Sequence, residues 1–146
     1  MKPVYWKWLL LVGRLGLALI FLAAGIAKLR EPWAQFAVSL YGFKLLPDDM
    51  LEPIAKTLPW AEVALGVAIL SGIWLRWFSF LASLIISVFL AVLIRSLAIG
   101  LQVDCGCFGS GEALGPMTIV RDSSMLALAA AVTVGAFRMH KTHTVK

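Results

Sequence analysis

Charged residues are scarce in this sequence: they make up 14% of the 146 residues, whereas hydrophobic residues make up 61%. A soluble domain of this length needs a larger polar share to cover its surface. The sequence also contains no nucleotide-binding loop, no catalytic-triad motif and no metalloprotease motif. These features argue against a soluble domain and against the common nucleotide-dependent and hydrolytic enzymes.

Cysteine is scarce too, with two residues in the chain, and the C-terminal tail carries few basic residues. The two cysteines are neighbours, so they cannot staple distant segments together. The tail is too sparse to bind nucleic acid and suits a determinant of membrane topology instead. We therefore expect no nucleic-acid partner.

What the chain has in abundance is long apolar runs. A helix needs about 20 mostly apolar residues to cross a bilayer, and its backbone must be hydrogen-bonded internally. The strict alternation of a membrane β-barrel is absent. Residues 1–146 are therefore predicted to form one all-α domain, an integral membrane four-helix bundle embedded in the lipid bilayer. Its predicted spans are Trp8–Ala27, Trp60–Leu75, Trp77–Ile99 and Ile119–Phe137.

The N-terminus has a second interpretation. Lys2 and Lys7 precede an apolar run, and the small residues 23–25 resemble a signal-peptidase site. Arg14 interrupts that run, however, and three more spans follow. We therefore interpret the first run as a membrane helix.

Charges are divided unevenly between the two sides of this bundle. All eight acidic residues fall on the side of the two longer connections, together with six basic residues. The positive-inside rule counts basic residues and favours cytoplasmic termini in an inner, cytoplasmic membrane. The longer connections then face the periplasm. The terminal side carries seven basic residues and no acid: Lys2, Lys7, Arg14, Arg76, Arg138, Lys141 and Lys146.

The first of these connections runs from about Lys28 to Pro59. Apolar spacings of three and four residues after Trp33 predict a short amphipathic helix on the membrane surface. Asp48 or Asp49 is suited to cap a second short helix. Prolines at positions 53 and 59 are expected to limit its length.

The second connection, residues 100–118, contains both cysteines in the run Asp104-Cys105-Gly106-Cys107-Phe108-Gly109. A disulfide needs Cα atoms about 4.4–6.8 Å apart, and two extended residues span at most about 7 Å. A bent Cys-Gly-Cys turn can therefore close, and Gly106 supplies the unusual backbone angles. So small a ring adds little to fold stability, and a strained or exposed pair favours reversible thiol–disulfide exchange.

Two other interpretations of the pair stay open. Two adjacent thiolates suit Cu(I) or Zn, although further ligands are needed. His140 and His143 are expected on the opposite side of the membrane and cannot supply them. The pair can also be a structural turn with an incidental disulfide.

Ionisable residues cluster at the membrane depth of this outer Cys-Gly-Cys loop. Such residues are costly in a bilayer and are functional candidates, although snorkelling and ion pairing also explain them. Nearby cations favour the thiolate form of a cysteine. We predict that Cys105 and Cys107 are catalytic, with six supporting residues: Lys28, Glu62, Arg95, Asp104, Arg121 and Asp122.

Three segments carry a family resemblance. They are Ala23-Ala24-Gly25-Ile26-Ala27-Lys28-Leu29, Leu58-Pro59-Trp60-Ala61-Glu62 with Gly66, and the Asp104–Gly109 loop. They resemble the DoxX-like membrane proteins, and more specifically the MauE branch, named for methylamine utilisation. The resemblance implies a four-helix bundle. It also implies disulfide handling beside a periplasmic thioredoxin-like partner, as in maturation of the multi-disulfide small subunit of methylamine dehydrogenase.

The residues and the resemblance together favour a membrane redox component that supports disulfide formation in exported proteins. After each exchange the pair must be reset, by a quinone in the bundle or by a second protein. The chain has no second cysteine pair to relay electrons, which favours a component of a membrane complex over a self-sufficient quinone-coupled oxidase. The alternatives are a Cu(I)-handling or other metal-handling membrane protein and a non-catalytic scaffold subunit.

Overall fold

The computed structural model describes residues 3–108, 111 and 113–144, of which the side chains of Pro3 and of 140–144 are not described. Lys2, Gly109 and Lys146 lie outside the described residues, as do the side chains of Lys141, His140 and His143. The described residues form five helices: α1 (Pro3–Arg30), α2 (Trp33–Gly42), α3 (Asp48–Ser71), α4 (Leu75–Ala98) and α5 (Pro116–Thr144).

All but α2 are long and apolar enough to cross a membrane, so the predicted all-α membrane bundle of four helices is confirmed. Helices α1 and α4 end, and α3 and α5 begin, at the end of the bundle that also carries α2 and the cysteines. We call this the cysteine end. Large apolar side chains such as Trp8, Val12 and Leu19 are exposed along α1, as a lipid-facing surface requires.

Helix α2 is the short helix predicted after Trp33, but the prediction for the next segment was wrong. Pro53 and Pro59 do not end a short helix; both lie inside the 24-residue helix α3. Each proline removes one backbone donor from the helix, which costs stability unless packing offsets the loss. Leu51, Ala55 and Pro59 form a buried stripe at four-residue spacing, so burial on one face holds the helix together.

The predicted second span, Trp60–Leu75, also extends beyond the end of α3 at Ser71. The chain turns at Gly72 and Trp74, which have φ values of 75° and 49°, and Arg76 lies in the first turn of α4. Arg14 helps to close this end of α3, because its Nη2 donates to the carbonyl of Leu70 at 2.9 Å. The last carbonyls of a helix lack intrahelical partners, and a cation beside them is favourable. Arg14 therefore binds a helix end rather than merely snorkelling.

The helices pack as two close pairs, α1 with α3 and α4 with α5, while α3 and α4 meet less extensively. Glycines let the first pair approach closely: a Cβ atom at Gly25 would lie 2.8 Å from the carbonyl oxygen of Pro59. The central core joins residues of all four long helices: Leu17, Ala18, Phe21, Leu65, Ile69, Ala82, Ala129 and Val132. The looser α3–α4 seam leaves space towards the cysteine end.

Candidate functional site

The cysteine loop folds back onto the bundle. The amide of Leu114 donates to the carbonyl of Val103 at 2.9 Å, and Asp104 forms an isolated antiparallel bridge with Ala113. Between the cysteines, Gly106 has a φ of 66°, which L side chains rarely adopt. A Cβ atom there would also lie 3.3 Å from that of Ser39 on α2. The turn therefore favours glycine at this position, and the tight contact with α2 adds to that preference.

Cys105 and Cys107 form a disulfide, with their Cα atoms 5.4 Å apart. The pair is not exposed, contrary to the sequence-based expectation: Cys105 is 1% and Cys107 is 8% exposed. Phe43 and Leu93 form a buried cluster with the two cysteines, and α2 lies over Gly106. The reason is that the amphipathic helix α2 buries its apolar face against the cysteine loop as well as against the bundle.

Each sulfur atom has a charged neighbour from the start of α5. Nη2 of Arg121 donates to Sγ of Cys105 at 3.7 Å, whereas Sγ of Cys107 lies 3.6 Å from Oδ2 of Asp122. The two charged residues are themselves paired, with Nε of Arg121 donating to Oδ1 of Asp122 at 3.1 Å. The guanidinium also lies over the ring of Phe108 at 5.0 Å. The structure thus places a cation at one sulfur and an anion at the other.

A second ion pair lies deeper in the bundle. Nζ of Lys28 donates to Oε1 of Glu62 at 2.6 Å, and the two side chains are only 5% and 11% exposed. Lys28 also lies 5.1 Å from the ring centre of Phe36 on α2. The other carboxylate oxygen of Glu62, Oε2, has no hydrogen-bond partner within the described part of the chain. A buried oxygen left in this state is costly unless something else satisfies it.

A cavity of about 130 Å³ connects the two charged groups. Lys28, Glu62, Cys107 and Asp122 all line it. Its remaining wall is mainly apolar and includes Phe21, Ala24, Phe36, Ile86, Phe89 and Met125. Sequence reasoning missed this cavity, because its wall is assembled from all five helices and the cysteine loop.

The structure does not bring Arg95 or Asp104 to the sulfur atoms. Leu93 and Ser96 on α4 face the interior of the bundle. Helical periodicity therefore turns the intervening Arg95 outward, where it is exposed. Asp104 is exposed as well, although it directly precedes the buried Cys105. The supporting roles predicted for Arg95 and Asp104 therefore stay predictions, without a contact to either sulfur atom among the described residues to support them.

Comparison with known proteins addresses the family. The family model described as methylamine utilisation protein MauE matches residues 6–135. The chain belongs to the MauE family. The match includes α3 and α4, most of α1 and α5, the cysteine loop and the residues that line the cavity. The wider DoxX-like relationship stays a prediction from the sequence.

Curated MauE proteins show the same relationship residue by residue. The methylamine utilization protein MauE of Paracoccus denitrificans is 32% identical over 129 residues, which is 84% of this chain and 67% of that protein. The MauE protein of Methylophilus methylotrophus is 32% identical over 91 residues, covering 62% of this chain and 47% of that protein. This chain thus spans about half to two thirds of the length of these MauE relatives. No solved structure matches it.

One further arrangement in this MauE-family chain bears on metal binding. The sulfur atoms of Cys105 and Cys107 and a carboxylate oxygen of Asp122 lie within 4.8 Å of one another, and all three residues are buried. As free thiolates the cysteines would suit a soft metal ion. The guanidinium of Arg121, however, lies 3.7 Å from Sγ of Cys105 and repels a cation bound there.

Proposed function

We propose that this protein is a membrane redox component in which Cys105 and Cys107 exchange thiol and disulfide equivalents with a periplasmic thioredoxin-like partner. The proposal is supported chiefly by one observation, the buried disulfide with a cation at one sulfur and an anion at the other. The names of the relatives suggest a setting in methylamine utilisation. There the protein would support disulfide formation in an exported protein of the methylamine dehydrogenase type.

The charges predict which sulfur the partner attacks. A guanidinium favours a thiolate on Cys105, whereas the carboxylate of Asp122 favours a protonated thiol on Cys107. A partner thiolate therefore attacks Sγ of Cys107, the disulfide breaks, and its electron pair goes to Sγ of Cys105. A second partner thiol then attacks the partner's own sulfur in the mixed disulfide. The partner leaves with a disulfide, and Cys105 and Cys107 are left as the dithiol.

Access to the sulfurs requires α2 to move. Phe36 and Ser39 pack against Gly106, so α2 covers the side of the turn that a visiting protein must reach. A polar groove of about 450 Å³ lies beside this contact, between α2 and the start of the cysteine loop. Gln35, Gln102 and Asp104 line it. We propose that the partner binds this groove and displaces α2.

The distribution of charges supports a membrane orientation with both termini in the cytoplasm. Lys7, Arg14, Arg76 and Arg138 lie towards the terminal end of the bundle, and the acidic residues that the structure describes lie towards the cysteine end. With both termini in the cytoplasm, the cysteine end faces the periplasm, where thioredoxin-like proteins can oxidise exported chains. Reporter domains fused to the C-terminus test this: an active exported reporter there would reverse the orientation.

Trapping of the mixed disulfide tests the exchange. Cys107 of Cys105→Ser is first converted to a mixed disulfide with thionitrobenzoate, and Cys107→Ser is treated in the same way. We expect Cys105→Ser, which keeps the attacked sulfur, to accumulate an adduct with a thioredoxin-fold protein that lacks its second, resolving cysteine, because the partner thiolate attacks Sγ of Cys107 and thionitrobenzoate leaves. Cys107→Ser should give several-fold less adduct, and the double variant none. Equal adduct from the two single variants would refute the assignment of roles. Unchanged partner redox state with both would refute the exchange itself.

A metal-handling role is the second candidate, because Cys105, Cys107 and Asp122 converge within 4.8 Å. It predicts stoichiometric Cu(I) or Zn in protein purified under reducing conditions, lost in Asp122→Asn. The redox proposal predicts no retained metal. A scaffold subunit would differ from both, because it would keep full function after both cysteines are replaced.

A further inference from the structure

The cavity beneath the disulfide is polar near its charged residues and apolar elsewhere. We propose that it binds the ring of a lipid-soluble quinone, which re-oxidises Cys105 and Cys107 after each exchange. This inference rests on the proposed function and names the oxidant that this function needs. Size, hydrogen-bonding groups, an apolar route from the lipid and the position of Cys107 support it independently.

The cavity has the size of a single ring. Its volume is about 130 Å³. An apolar cavity of about 150 Å³ in another protein stays dry and binds benzene. A six-membered ring therefore fills this space, while a larger fused cofactor would need the helices to separate. Phe21, Phe36 and Phe89 supply aromatic walls for such a ring.

The ion pair supplies both a donor and an acceptor. Lys28 has three N–H donors, one of which is used by Oε1 of Glu62. A ring carbonyl can accept from the same ammonium group. Oε2 of Glu62 is buried without a partner among the described residues and can accept from a ring hydroxyl. A quinone presents the carbonyl and a quinol presents the hydroxyl, whereas a hydrocarbon chain satisfies neither group.

An apolar groove leads from this cavity to the lipid-facing surface. It has a volume of about 430 Å³ and shares Leu40, Ile85 and Phe89 with the cavity. Leu84 and Val88, which also line it, are exposed on the outer face of α4. An isoprenoid tail can therefore lie in this groove while the ring occupies the cavity. The groove lies between α2 and α4, on the side where the bundle is less tightly closed.

The position of Cys107 makes a direct reaction possible. Cys107 lines the cavity, so electrons do not need a second cysteine pair to reach the ring. In the reaction the sulfur–sulfur bond forms between Cys105 and Cys107, and two electrons pass to the quinone. The two protons that the thiols lose end on the two ring oxygens, which gives the quinol. Asp122, 3.6 Å from Sγ of Cys107, is placed to accept the proton of that thiol.

The test uses the full chain in lipid nanodiscs, reduced and freed of reductant without oxygen, with ubiquinone-1 as the probe. We expect one quinone reduced per protein and both thiols lost to maleimide labelling. Ala24→Leu and Ile86→Phe, which fill the cavity, should each slow this reaction at least about tenfold. Ala23→Leu adds the same volume on an exposed position of the same helix and should leave the rate unchanged.

Different results separate this inference from the proposed function. Failure of ubiquinone-1 to bind or oxidise the wild-type protein, with partner exchange intact, would overturn the quinone site alone. Equal rates for Ala24→Leu and Ala23→Leu would overturn it as well. If ubiquinone-1 binds in a way that Ala24→Leu blocks, but neither cysteine forms a partner adduct, the cavity assignment stands and the proposed exchange fails.

Discussion

Replacement of Lys28 by Met tests whether water reaches the buried ion pair of Lys28 and Glu62 beside the cavity. Lys28 and Glu62 are nearly inaccessible and lie 2.6 Å apart. Removing one partner of a buried ion pair leaves an uncompensated charge and typically costs about 3–5 kcal/mol. We therefore expect Lys28→Met to lower the free energy of unfolding by about that amount, because the carboxylate of Glu62 loses its cation.

The chain offers a matched control in the exposed pair Lys56–Glu52, whose side chains are 48% and 59% exposed. Like Lys28, Lys56 also lies over an aromatic ring, that of Trp33 at 4.5 Å. Lys56→Met removes the same kinds of interaction from a solvated site, where such a pair contributes at most about 1 kcal/mol. The two substitutions therefore differ mainly in burial.

Reversible unfolding by denaturant in mixed micelles gives both free energies in one assay. A further variant, Lys28→Met with Glu62→Leu, removes both charges and should recover most of the lost stability, since an apolar pair of similar volume often replaces a buried ion pair without penalty. Equal costs for Lys28→Met and Lys56→Met would refute the reasoning. Water would then reach Glu62, and the cavity would not be a dry site for a ring.

Three other substitutions test the surroundings of the site. Gly106→Ala should destabilise the oxidised loop by about 1–2 kcal/mol, because alanine is strained at a positive φ; the fraction of free thiol at a fixed glutathione ratio measures this. Arg14→Met should cost about 1–3 kcal/mol of unfolding free energy, since the carbonyl of Leu70 loses a charged donor. Phe36→Ala should speed maleimide labelling of the reduced cysteines several-fold by loosening α2, whereas Val38→Ala, on the exposed face of α2, should not. An unchanged free-thiol fraction, an unchanged unfolding free energy or equal labelling rates would contradict these three expectations in turn.

The membrane bundle could be predicted from the sequence because long apolar runs are its strongest signal, and the lipid bilayer leaves such runs few backbone structures to adopt. Continuous apolar runs identify α1, α4 and α5, since a buried backbone in lipid must be helical. The first half of α3 was predicted as a separate short helix, because Pro53 and Pro59 were expected to limit its length and Glu52 and Lys56 give it a polar composition. In the structure Glu52, Pro53 and Lys56 lie on one exposed face, opposite the buried stripe that begins at Leu51. The four-residue spacing of that stripe was the available signal.

The site was predictable in its residue types and less so in its arrangement. Sequence position placed Arg121 and Asp122 at the depth of the cysteines, and the structure brings both to the sulfur atoms. Burial of the cysteines depends on how α2 folds over the loop, which no local pattern specifies. The outward direction of the Arg95 side chain could have been predicted from helical periodicity, because Leu93 and Ser96 occupy the inward-facing positions of α4.

The most direct test of the account is the redox state of Cys105 and Cys107 in quinone-depleted membranes, before and after addition of a reduced thioredoxin-fold protein. Mass spectrometry after alkylation reports both thiols. The account predicts that the disulfide is converted to the dithiol in proportion to the partner molecules oxidised, and that Cys105→Ser with Cys107→Ser abolishes this oxidation. Oxidation of the partner at an undiminished rate by the double variant, or a disulfide that never opens, would contradict it.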